Sequence, residues 1–193
     1  MSFPEATEDS NTDQVYNTVI FIDHNGIVLG HHRKAMLWAD NERKLFKAGS
    51  KKLPVFEYVT KNNESWNCSL GICYEIEFPE PARDATLRGA QIFFIPTANT
   101  TARINTLFVP TRAGENGVHV VYNNWIHGPT GFCGLSVVST PESEIPLHLL
   151  CKTEGQKEPV AVGYVDVHHI EPKDSFIEDL KRLPLYYKEA DNN

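Results

Sequence analysis

Apolar residues in this chain fall in short runs separated by turn-forming residues. "VYNTVIFID" and "IVLGHHRK" flank "HNG" and predict a β-hairpin, because Asn25-Gly26 accepts the positive φ angles of a tight turn. "ADNERKLFKAG" predicts a short helix, capped by Asp40 or Asn41 and closed by Gly49. "LPVFEYV" and "SWNCSLGIC" predict strands. "PEPARDATLRGA" predicts a helix whose prolines fall in its first turn, where a missing N–H is tolerated. "QIFFIP" is apolar without alternation, as in a strand covered on both faces.

The second half keeps this rhythm. "INTLFVPTRAGENG" predicts a helix and "VHVVYNN" a buried strand. "GLSVVSTPESEIPLHLL" reads as a hairpin around Pro141, and "PVAVGYVDVHHI" alternates as a strand does. "DSFIEDLKRL" closes as a helix, with Ser175 and Glu178 at capping-box spacing. Strands interleaved with helices predict an α/β fold, and the hairpins make its sheets mixed.

Composition narrows the class. At 193 residues the chain can bury one sizeable core, so a single domain over 1–193 is expected. A net charge of −7 with no basic stripe argues against nucleic-acid or acidic-membrane partners. The apolar runs are too short to span a bilayer, and Met1 to Asn11 lacks a signal-peptide core, so a soluble cytoplasmic protein is expected. Cys68, Cys73, Cys133 and Cys151 form no CxxC pair, which suggests neither a zinc site nor a disulfide framework.

Cys73 stands at the end of an apolar strand, before a helical segment. There a helix dipole would favour thiolate, and the Tyr74 N–H could donate to an oxyanion. Position alone also fits an inert buried thiol. A nucleophilic reading needs a cation and a proton acceptor, and "GHHRKAMLWADNERKLFKAG" offers Lys34 at a strand end, followed by Glu42.

Four segments then agree in order and spacing: "HRKAMLW", "GICYEIEFPE", "PTRAGENGVHVVYNN" and "GLSVVSTPES". With them the chain resembles the nitrilase superfamily of carbon–nitrogen hydrolases over nearly its whole length. The resemblance implies an α-β-β-α sandwich with mixed sheets and a cofactor-free, metal-free Glu-Lys-Cys mechanism. Cys73 matches the nucleophile, Lys34 the lysine that stabilises the tetrahedral intermediate, and Glu42 the accessory glutamate. The implied substrate is a small amide or carbamoyl compound; "CYE" favours amide over nitrile cleavage. The implied assembly is a homo-oligomer.

The family's general-base glutamate belongs to an earlier strand–helix unit, which this sequence does not contain. Glu5 in "FPE" is the alternative, although that stretch reads better as the strand and polar turn before the hairpin. The expectation is a partial domain with unpaired edges that associates and hydrolyses amides weakly, or an impaired fragment acting as an interaction module.

Other residues carry narrower expectations. Neighbours on a strand point to opposite faces, so neither His31-His32 nor His168-His169 can chelate one metal; both read as surface or hairpin histidines. Arg112 and Glu115 read as structural or interface contacts, or equally as a helix-surface pair. At least one of Glu75, Glu77 and Glu80 reads as a helix-start carboxylate rather than a catalyst. Trp125, Phe132 and the Thr97 to Thr101 loop with Asn99 are candidates for lining a substrate pocket. Cys68 and Cys133 read as core.

Overall fold

A computed structural model of the chain describes residues 2–7, 14–127 and 131–141. The return arm of the hairpin at Pro141, the strand "PVAVGYVDVHHI", the closing helix, Cys151 and His168-His169 lie outside them.

β1 (Phe3–Ala6), β2 (Val15–Ile22) and β3 (Val28–Arg33) form an antiparallel three-stranded sheet. Its tight connection differs from the turn expected, in which Asn25 and Gly26 would both take positive φ. Asp23 N–H bonds the Ile27 carbonyl at 2.9 Å, and the Asp23 carboxylate accepts the Asn25 and Ile27 N–H groups at 2.9 and 2.8 Å. Only Gly26 takes a positive φ, 83°, so the aspartate holds a longer loop with one left-handed residue.

α1 (Ala39–Leu45) follows, then β4 (Val55–Val59), β5 (Ser65–Leu70), α2 (Pro79–Leu87), β6 (Ile92–Thr97), α3 (Val109–Asn116) and β7 (His119–Asn124). The short β8 (Ile126–His127), β9 (Phe132–Cys133) and β10 (Val137–Ser139) complete the described chain. The second sheet has the order β10-β7-β6-β5-β4, parallel at its centre and antiparallel at both edges. It is mixed, as expected.

β6 is covered on both faces. Phe93 and Ile95 pack with Ala82, Ala85, Val109 and Ala113 of the helices, and burying each large side chain contributes about 2 kcal/mol. Phe94 packs on the other side against the Val19, Leu70 and Ile72 cluster, joining the two sheets. Helix, sheet and sheet are therefore three layers of the expected α-β-β-α arrangement. α1 buries no residue and makes no fourth layer among the described residues.

Two helix boundaries depart from expectation. α1 starts after Trp38 rather than after an Asp40 or Asn41 cap, and it ends at Leu45, before Gly49. The segment expected as one helix from Ile104 begins as a π-turn, Ile104–Phe108, before α3. Pro110 has no N–H to continue an α-helical ladder there, which accounts for the wider turn.

Candidate active site

Lys34 follows the end of β3 and is fixed by backbone bonds on both sides. Its N–H donates to the Asn17 carbonyl at 2.8 Å, and its carbonyl accepts the Gly49 N–H at 2.9 Å. Gly49 is required by proximity: a Cβ there would lie 2.1 Å from the Arg33 carbonyl oxygen. Lys34 is 2% exposed, and a buried ammonium needs a counter-charge. Nζ finds it in both oxygens of Glu42, at 2.8 and 2.7 Å.

Glu42 also accepts from Asn17 Nδ2 at 2.9 Å and from the Trp38 N–H. Burial alone would raise its pKa. The hydrogen bonds from Lys34, Trp38 and Asn17 outweigh that and leave it below the usual value. Glu42 is therefore suited to holding the ammonium rather than to taking a proton.

β5 delivers the cysteine. After Leu70 the chain passes Gly71 and Ile72, then turns through Cys73 at a left-handed φ of 48°. That conformation is strained for a residue with a Cβ and clusters at functional sites. A single 3-10 turn, Cys73–Glu77, follows, and α2 starts only at Pro79. This corrects the expectation of a helix dipole aimed at the sulfur. The far end of the turn is fastened by buried Arg112, whose guanidinium donates to the Ile76 and Glu77 carbonyls at 3.0 and 2.9 Å. Arg112 also pairs with Glu115 at 2.6 Å, so it makes the structural contact rather than a surface pair.

Lys34, Glu42, Cys73 and Tyr74 line one open cavity of about 1020 Å³, large enough for a small-molecule substrate. Asn99 and Trp125 line it too. The Asn99 amide is engaged within its own loop: Oδ1 accepts the Thr101 N–H at 2.8 Å, and Nδ2 donates to the Thr101 carbonyl at 2.9 Å. Trp125 is half exposed and meets Phe132 edge-on at 6.0 Å, forming an aromatic rim. Tyr122 reaches Thr97 Oγ1 at 3.1 Å; burial raises its pKa and keeps the hydroxyl protonated.

Glu5 does not join them. It pairs with Arg33 at 2.7 Å and accepts from Thr18 at 2.6 Å, outside the cavity. The Arg33 hydrogen bond dominates in pulling its pKa down to about 2, which unsuits it as a base. Glu77 is the other carboxylate among the described cavity residues; burial raises its pKa, opposed by Arg103.

Cys68 is fully buried, with a pKa pushed up by burial to about 12. Cys133 is half-buried rather than core and touches Asn124 Nδ2 at 3.2 Å. Among the described residues, no three His, Cys, Asp or Glu side chains gather as a metal ligand set.

His32 departs most from its expected surface position. It is 3% exposed and directs Nε2 at the Glu75 carboxylate, while His31 is exposed beside Glu5. Alternation along β3 implied opposite faces for the two. The apolar residues flanking the hairpin were the available signal that one face turns inward.

The profile of the family described as Carbon-nitrogen hydrolase matches residues 1–168. The chain belongs to the carbon–nitrogen hydrolase family. Within it, the chain is 33% identical over 169 residues to the protein named Hydrolase in pqqF 5'region of Pseudomonas protegens, covering 85% of this chain and 54% of that one. It is 30% identical over 188 residues to N-carbamoylputrescine amidase of Arabidopsis thaliana, covering 86% and 60%. A variant of the amidase from Nesterenkonia sp. AN1, solved with acrylamide added at its active-site cysteine, superposes with a TM-score of 0.64 at 33% identity. That superposition covers 72% of this chain and 54% of the amidase. The chain thus spans roughly half the length of the first relatives it matches.

Proposed function

We propose that this chain carries the nucleophile and lysine of a carbon–nitrogen hydrolase acting on small amides or carbamoyl compounds. The observation that carries the reading is the shared cavity of Cys73 and Lys34, with the Lys34 ammonium held between two oxygens of Glu42. Cys73 Sγ attacks the acyl carbon, forming an S–C bond as the carbonyl π pair moves onto oxygen. The Lys34 ammonium, with the Tyr74 N–H, opposes that developing charge. Collapse breaks the C–N bond, and the proton released by the thiol leaves on the departing ammonia or amine. Water then adds to the thioester, releasing the acid and restoring the thiol. Asn99 holds the loop at the cavity wall, and Trp125 offers an apolar rim to the substrate. Nitrile hydrolysis would use the same thiol.

A second reading, an impaired module acting through its surfaces, is favoured by one observation. Of the two carboxylates weighed in the sequence, Glu42 is fully engaged with Lys34 and Asn17, and Glu5 lies outside the cavity. Location in the cytoplasm and homo-oligomeric assembly remain part of the first reading. The residues described include no helix long and apolar enough to cross a membrane.

Fluoroacetamide labelling followed by peptide mapping, alongside ammonia release from small amides, separates the two. The hydrolase reading expects one adduct, at Cys73, formed at least about tenfold faster than at Cys68, whose raised pKa suppresses thiolate. It also expects ammonia release that Cys73→Ala abolishes. Equal slow labelling of the cysteines and no ammonia would sink it.

A further inference from the structure

Donors from two distant segments converge on one buried carboxylate. The Ala35 N–H reaches Glu75 Oε1 at 2.8 Å, and the Ile72 N–H reaches Oε2 at 2.8 Å. His32 Nε2 lies 3.1 and 2.9 Å from the two oxygens, and the paired side chains are only 2% and 1% exposed. Ala35 immediately follows Lys34, and Ile72 immediately precedes Cys73. One carboxylate thus holds the backbone next to both groups that the proposed chemistry requires.

Both Glu75 oxygens already accept backbone N–H groups, so the cluster is complete when His32 Nε2 carries the hydrogen that faces them. His32 stands on β3 two residues before Lys34, and Glu75 lies in the 3-10 turn two residues after Cys73. Neither side chain lines the cavity, so neither meets a substrate there. We infer that His32 and Glu75 form a positioning pair that fixes the Lys34 ammonium relative to the Cys73 sulfur. This inference rests on the hydrolase reading above.

Glu75 makes the pair selective. Its two oxygens are met by N–H donors, so a glutamine would turn an NH2 group toward one of them and repel it. A phenylalanine at position 32 keeps the ring volume but removes the donor. A glutamine there keeps a donor on a flexible arm. Displacing reacting groups by about 1 Å costs on the order of 100-fold in rate.

Acrylamide addition to the folded chain tests this without needing turnover. The Cys73 thiol gives its proton to water as the sulfur bonds to the β-carbon. The C=C π bond breaks with negative charge passing to the amide oxygen, and a proton returns from water to the α-carbon. The rate therefore reports both thiol and ammonium. His32→Phe and Glu75→Gln are expected to slow Cys73 addition by about 10- to 100-fold, with His32→Gln within about threefold of wild type. Cys133 labelling, read in the same samples, is expected to be unchanged, and urea unfolding establishes that each variant is folded.

If His32→Phe does not fold, Glu75→Gln, which preserves shape, decides the matter. Wild-type Cys73 rates in either folded variant, or equal slowing of Cys133, would overturn the positioning role while leaving the hydrolase reading intact. Absence of Cys73 addition in the wild-type chain would sink both.

Discussion

Replacing Glu42 with alanine should expose how the Lys34 ammonium is tolerated inside the fold. The substitution removes both Nζ contacts, at 2.8 and 2.7 Å, together with the acceptor for Asn17 and the Trp38 N–H. The gross attraction at about 2.7 Å and an effective dielectric of about 20 is roughly 6 kcal/mol, much of it cancelled by desolvation. Stripping one partner from a buried pair costs about 3–5 kcal/mol, because the other charge is stranded. The Glu42 side chain keeps 14% exposure against 3% for Lys34, which lets some water in and points to the low end, about 3 kcal/mol. With an m-value of about 2 kcal/mol/M, the urea midpoint should fall by about 1.5 M. The double variant Lys34→Met/Glu42→Leu should recover part of this loss, since no charge remains stranded. Acrylamide addition to Cys73 should stay slow in the double variant, because its ammonium is gone. A Glu42→Ala loss under about 0.5 kcal/mol, or strictly additive single and double variants, would refute the reasoning.

Two further outcomes follow from neighbouring contacts. Gly49→Ala should destabilise by about 1–3 kcal/mol in urea titrations and slow Cys73 labelling, because its Cβ would press on the Arg33 carbonyl beside Lys34. Glu5, depressed from 4.5 to about 2, contributes stability that is complete above its unfolded value and drains away as pH falls from about 4.5 towards 2. The side chain is 23% exposed, so screening reduces the contribution to about 1 kcal/mol, and Glu5→Gln should flatten that part of a pH-resolved melting curve.

Local pattern anticipated the strands well, because β6 and β7 carry long apolar runs and β2 and β3 flank an obvious turn. Cys73, Lys34 and Glu42 could be named through the resemblance to the family's motifs, and the cavity gathers them. Their electrostatics were less legible. A dipole behind Cys73 was expected from the break between an apolar strand and the following helix, but the left-handed cysteine initiates a separate 3-10 turn first. Glu5 looked available in isolation; its engagement with Arg33 and Thr18 arises from strand pairing across a polar turn. His32 was misplaced because strand alternation separates two faces without saying which is buried. Its partner, Glu75, sits 43 residues away, beyond the reach of any local rule.

The backbone torsion at Cys73 sets chemistry against comfort. A Cβ in the left-handed region crowds the following carbonyl by about 1–2 kcal/mol, and glycine alone escapes that crowding. A glycine at this corner would therefore relax the turn and discard the sulfur in the same step. The simplest route to a firmer fold at this spot is one that removes the group on which the proposed hydrolase depends.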